Sequence, residues 1–202
     1  MSKHAVVVID LQNEYLPTGK LPLDGIEAAV ANAARIIANA RDQGVPVIHV
    51  QHQSLSSEAP IFVPGSEGVA IQAAVTPQAG EPVLVKHHPN AFRETNLKQL
   101  LDERGIGSLV VVGAMSHMCI DAGVRAAADM GYAVTVIHDA CATLDLEFKG
   151  VRVPAAQVHA ALQRHLDPAN FVVVTAGPRV AQQPLPPPRP LPTLPPSGVP
   201  EH

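Results

Sequence analysis

Three residues of unlike chemistry each follow an apolar run. Asp10 ends Ala5–Ile9, Lys86 ends Val83–Val85, and Cys119 lies a few residues beyond the valine-rich Ser108–Val112. A thiol attacks a carbonyl carbon as its thiolate, so it needs a base or a stabilising positive charge. A carboxylate can take the thiol proton and later return it to a leaving amine. An ammonium group, like a helix amino terminus, favours ionised sulfur. Backbone N–H groups around Met115 to Cys119 could cradle an oxyanion. These are the parts of a nucleophilic hydrolase. Singly, each residue has a plainer explanation. The Asp could be a loop or cap residue, the Lys solvated, and the Cys a small hydrophobe in an Ala-rich helix. Their weight comes from meeting at one place, and that depends on the elements that carry them.

Short runs of β-branched residues alternate with longer amphipathic ones. Val6–Ile9 reads as a buried strand. Helical spacing over Asp24 to Gln43 predicts a helix capped by Asp24 and ended by Gly44. Strands follow at Val45–Gln51, Pro82–Lys86, Ser108–Val112, Ala133–His138 and Phe171–Val174, with helices at Asn96–Arg104, Cys119–Met130 and Pro154–Leu166. The segment Gln53 to Pro82 reads as irregular, with a short helix around Val69 to Val75. Such alternation implies right-handed crossovers, hence a three-layer α/β fold: a mainly parallel six-stranded sheet with helices on both faces. Ligands of such sheets bind beyond the carboxyl ends of the strands. Asp10, Lys86, the loop of His117 to Cys119, and His138–Asp139 all leave at that edge. Cys141, placed after the fifth strand, reads as a packing residue.

The chain has 202 residues, 47% hydrophobic and 16% charged, with 3% aromatics and no Trp. Residues 1–177 have ample apolar material for one domain. From Pro178 the composition changes. The prolines of 178–202 exclude helix and sheet interiors and predict a disordered or polyproline-II tail. Arg189 to Pro195 has the shape of a ligand for an SH3-type groove, although a solvated tail without a partner explains it more simply. A net charge of −4 and the lack of a basic stretch disfavour nucleic acid. The sequence shows no secretory signal and no membrane span, and two cysteines make no disulfide framework. A cytoplasmic protein with reduced thiols is expected.

Read together, these segments resemble the isochorismatase-like cysteine hydrolase superfamily, which includes the nicotinamidase-related amidohydrolases. The likeness rests on Ala5 to Asn13, Phe62 to Ser66, Val85 to Phe92, Gly113 to Ile120 and Asp139 to Thr143, in that order. It implies an Asp10–Lys86–Cys119 triad and a cis peptide between Ala114 and Met115. That bond would aim the N–H groups of Met115 and Cys119 at an oxyanion. It also implies a homo-oligomer, a dimer or larger. Phe62, His88, Phe92 and His117, in loops near the same edge, are candidate substrate contacts. Phe62 and Phe92 could equally be core plugs or fill a subunit interface.

The departures from the family pattern are informative. After the second strand the chain reads His49-Val50-Gln51-His52-Gln53-Ser54, without the Asp-x-His metal motif of the nicotinamidase branch. His49 and His52 fall on opposite faces of a strand, and the adjacent His87 and His88 likewise diverge. No metal and no cofactor are expected. Cys119 argues against the vinyl-ether-cleaving branch, which lacks the nucleophile. The expected activity is hydrolysis of a non-peptide C–N bond (amide, lactam or ureido) of a small molecule through a thioester. The alternative is a non-catalytic binding or assembly protein on the same fold, with the tail as its interaction segment. A redox role for Cys119 ranks last.

Overall fold

The computed structural model describes residues 3–166 and 171–176. Six parallel strands form one sheet: β1 (Lys3–Ile9), β2 (Val47–His52), β3 (Val83–Lys86), β4 (Ile106–Ala114), β5 (Ala133–Ala142) and β8 (Phe171–Val174). Their order is β3-β2-β1-β4-β5-β8. From β1 the chain moves outward to β2 and β3, then returns to lay β4 against the other side of β1. The strand order therefore reverses between β1 and β4, which opens a crevice at their carboxyl ends.

The valine-rich strands are buried on both faces. One face carries α1 (Ile26–Asp42), whose Ile26, Val30, Ala33, Ile37 and Ala40 pack on Val6, Val8, Val110 and Val112. The other carries α2 (Leu97–Glu103) and α3 (Asp121–Asp129), with Leu97, Leu101, Ile120 and Val124 against Val7, Ile9, Leu109 and Val111. Beside α1 runs α4 (Ala155–Leu166), and the two line a cavity of about 310 Å³.

Several boundaries differ from the sequence expectation. Asp24 does not cap α1, since its side chain makes no capping bond. Gly25 holds the N-cap position at φ 68°. The short helix expected around Val69 to Val75 is a single 3₁₀ turn, Ala73–Val75. Cys119 does not begin an α-helix. It lies in one π-helical turn, Ser116–Ile120, that feeds α3. β5 runs on to Ala142, so Cys141 is a strand residue opposite Gly113, beyond a register shift. A β-hairpin, β6 (Leu146–Phe148) with β7 (Val151–Val153), stands between the fifth strand and the last helix, where the sequence reading placed no element. Its Lys149 and Gly150 both have positive φ, as a two-residue mirror-image turn requires. The expected tail, 178–202, lies outside the described residues. No helix among them is long and apolar enough to cross a membrane.

Candidate active site

Asp10 sits where β1 ends, at φ 53°. Asp tolerates this left-handed conformation better than most residues, and it turns the chain out of the sheet. The Asp10 N–H donates to Val50 O and its carbonyl accepts from Gln12 N–H, each at 2.9 Å. Cys119 arrives from β4, the neighbour of β1. Lys86 comes from β3, two strands away, roughly 10 Å at ordinary strand spacing. Only a long side chain can cross β2 to reach Asp10.

It does so. Lys86 Nζ lies 2.7 Å from Asp10 Oδ2 and 3.2 Å from Cys119 Sγ. Asp10 and Lys86 are fully buried, and Cys119 is almost so. Burial raises the Asp10 pKa, opposed by the Lys86 charge and hydrogen bond. Burial and the Asp10 charge push the Cys119 thiol up to about 12, against the pull of Lys86. The sequence suggested a sulfur kept ionised by a helix terminus and a lysine. In the folded site desolvation, together with the Asp10 charge, outweighs the pull of Lys86 and favours the thiol over the thiolate.

The peptide bond between Ala114 and Met115 is cis. The Met115 carbonyl accepts from Met118 N–H (3.0 Å) and Ile120 N–H (3.2 Å), which shapes the π-helical turn bearing Cys119. Ser116 Oγ lies 3.2 Å from Ala142 O and 2.9 Å from His159 Nδ1, fastening the turn to β5 and α4. Gly113, at φ 139°, lies so close to β1 that a Cβ would stand 2.0 Å from Ile9 O.

The candidate substrate contacts separate. His117 rides on the turn itself, its Nδ1 2.6 Å from Thr143 Oγ1. Phe62 is buried, edge-on to Tyr15 and to His52 (ring centroids 5.3 and 5.1 Å). It is a plug beside the triad. Phe92 stacks on Tyr132, which precedes β5 at the opposite edge of the sheet, so its ring is committed to packing. His88 pairs with Glu94, its Nε2 3.0 Å from Oε2. His138 and Asp139 also serve the scaffold. His138 Nε2 contacts Thr175 Oγ1, and the Asp139 carbonyl accepts from Asn32 Nδ2. Cys141 is buried in the same apolar cluster as Cys119, and both thiols are free.

Sequence reasoning missed two residues that touch this site. Gln12 is fully buried and grips the backbone of His52 from both sides. Its Oε1 accepts from His52 N–H and its Nε2 donates to His52 O, each at 2.8 Å. His52 in turn places Nδ1 3.1 Å from Lys86 Nζ. His49 faces away, its Nε2 3.1 Å from Glu81 Oε2. No three or more His, Cys, Asp or Glu side chains among the described residues gather as metal ligands would. Only the position of Gln12, just after Asp10, and of His52, ending β2, could have drawn notice to them.

A carboxylate, an ammonium and a thiol shut from water, at the point where a parallel sheet reverses its strand order, put the chain among the α/β hydrolytic enzymes. Comparison with known proteins names the family. The Isochorismatase domain matches residues 4–174, and the chain belongs to the isochorismatase family. It is 46% identical over 171 residues to YddQ of Bacillus subtilis, an uncharacterized isochorismatase family protein, covering 85% of this chain and 95% of that one. Over 151 residues it is 34% identical to maleamate amidohydrolase of Pseudomonas putida, covering 68% and 71%. A crystal structure described as an isochorismatase hydrolase from Oleispira antarctica superposes with a TM-score of 0.85 at 51% identity, covering 89% and 97%.

Proposed function

We propose that the chain is a cysteine hydrolase that cleaves a non-peptide C–N bond of a small molecule through a thioester. The observation that carries this reading is Lys86 Nζ held between Asp10 Oδ2 and Cys119 Sγ in a buried site. Similarity to a maleamate amidohydrolase supports the choice of a C–N bond.

Asp10 takes the thiol proton as the sulfur attacks the carbonyl carbon, so the thiolate forms only in step with its use. The new S–C bond sends the carbonyl electrons to oxygen, and the N–H groups of Met115 and Cys119 donate hydrogen bonds to that oxyanion. Collapse of this intermediate breaks the C–N bond, and the proton on Asp10 goes to the departing nitrogen. A thioester remains. Asp10 then removes a proton from water, which attacks the thioester. The carboxylic acid leaves and the thiol is reprotonated. Lys86 balances charge on Asp10 and sulfur throughout. All groups used belong to the chain itself.

The same reading includes a homo-oligomer. The hairpin supports it by leaving Phe148 and Val151 largely exposed, an apolar surface of the kind that marks interfaces. Sedimentation analysis tests it, and a monomer at all concentrations would reject it. We also propose that the enzyme works in the cytoplasm.

Ammonia release from a panel of small carboxamides and ureido compounds tests the activity, with Cys119→Ala as control. Release by the wild type and not by the variant is expected. Equal release by both would overturn the nucleophile.

A further inference from the structure

We propose that His52 is a positioning residue of this site, the third hydrogen-bond acceptor of the Lys86 ammonium. The proposal rests on the hydrolase reading above. An ammonium carries three N–H donors and no acceptor. In this site it has three neighbours able to accept: Asp10 Oδ2 at 2.7 Å, His52 Nδ1 at 3.1 Å and Cys119 Sγ at 3.2 Å. A buried ammonium must have its donors satisfied, and a carboxylate and a thiol satisfy only two. The imidazole supplies the third.

Its place in the sheet explains why it can. Lys86 must pass over the end of β2 to reach Asp10. The residue ending β2 is His52, in direct register with Lys86. The ring therefore stands beside the path of the lysine side chain. Accepting through Nδ1 leaves the proton on Nε2, so the ring is neutral and the positive charge stays on Lys86. Burial and the Lys86 charge push the His52 pKa down to about 4, in keeping with a neutral ring.

The ring is itself held. Gln12 clamps the His52 backbone from both sides, and the same Gln12 Nε2 donates to Val69 O at 2.7 Å. Phe62 meets the imidazole edge-on at 85°. A chain of contacts thus runs from Gln12 to His52 to Lys86, and from there to the carboxylate and the sulfur. Without the third acceptor, Lys86 keeps its pairing with Asp10 but loses the constraint that aims a further donor at Cys119.

The test measures carbamidomethylation of Cys119 by iodoacetamide at one fixed alkaline pH, read by peptide mass spectrometry. It compares wild type, Cys119→Ala, His52→Phe and His52→Asn. Phe keeps a ring against Phe62 but has no acceptor, and Asn Oδ1 stands close to where Nδ1 was. Circular dichroism checks that each variant folds. His52→Phe should slow labelling about tenfold, the worth of a hydrogen bond to a charged group, and His52→Asn should restore most of it. Labelling of His52→Phe at the wild-type rate would overturn the proposal and leave the hydrolase reading intact. Equal slowing in both His52 variants would also overturn it, reducing His52 to a packing partner of Phe62. No Cys119 labelling in the wild type would overturn this proposal, which requires Lys86 to hold the sulfur in a reactive position, and would leave the hydrolase reading to the ammonia assay.

Discussion

Asp10 and Lys86 face one another across 2.7 Å with neither side chain open to water. Each is the other's compensation for lost hydration. Removing one partner of such a pair leaves a buried charge uncompensated, which costs about 3–5 kcal/mol, whereas removing both costs much less. Lys86→Met should therefore destabilise the protein by about 3 kcal/mol at neutral pH, and Asp10→Asn/Lys86→Met should recover most of that loss. In Lys86→Met, Asp10 binds a proton more tightly in the folded state than in the unfolded one. Stability of that variant should rise as pH falls. Urea unfolding checks both; a double variant no more stable than Lys86→Met would contradict the pairing.

The thiol titrates late. With its pKa at about 12, Cys119 should react with iodoacetamide ever faster as pH rises through the alkaline range. An ordinary thiol levels off above roughly pH 9, once it is ionised. A plateau near that pH would show that Lys86, not burial, governs the sulfur.

Asp10 must be ionised to act as base, and burial raises its pKa. Hydrolysis of an active compound from the panel should fall off on the acid side at a pH above the ordinary carboxylate range near 4. The acid limb of kcat/KM reports it. A limb at or below the ordinary range would assign the base elsewhere.

Glu81 joins α1, β2 and the entry to β3, and so supports the strands that carry His52 and Lys86. Burial raises its pKa, but Arg41, Gln78 N–H and His49 together hold it down to about 2. Arg41 binds it through two bonds of 2.7 and 2.8 Å. A carboxylate lowered in this way stabilises the fold above its unfolded pKa of about 4.5. That contribution fades as pH falls toward 2. Glu81→Gln should cost about 2–3 kcal/mol at pH 7, with the gap to wild type closing in acid. A gap independent of pH in urea titrations would rule out the charge as its source.

Two glycines with positive φ should respond differently to alanine. At Gly113 a Cβ meets Ile9 O at 2.0 Å, backbone against backbone, just before the cis bond. Gly113→Ala should cost more than about 3 kcal/mol or prevent folding. Gly25, at φ 68°, has nothing within 4 Å of such a Cβ. Gly25→Ala should cost only the left-handed backbone penalty of about 1–2 kcal/mol. Thermal unfolding of the two variants checks the contrast.

Local patterning made much of this legible. Val6 to Ile9 and Val110 to Val112 read as strands because β-branched runs suit a sheet buried on both faces. Ile26 to Ala40 reads as helix because its apolar spacing matches the helical repeat. The β6–β7 hairpin was missed although its signal was present: Lys149-Gly150 between two short alternating runs, Leu146 to Phe148 and Val151 to Val153. The π-helical turn at Ser116 to Ile120 had no such signal. It depends on the Met115 carbonyl taking bonds from both Met118 and Ile120.

By itself, the sequence determined the alternating α/β order and the residue types placed at strand ends. Both follow from short-range patterning, which acts within each segment. Tertiary structure alone decided what those residues became. Strand order set β3 two places from β1, so that Lys86 had to cross His52 to reach Asp10. Packing from both faces then removed water from the three side chains. Desolvation is a property of the surrounding atoms and not of the residue, which is why burial raises the Cys119 pKa although its neighbours in sequence suggested a thiolate.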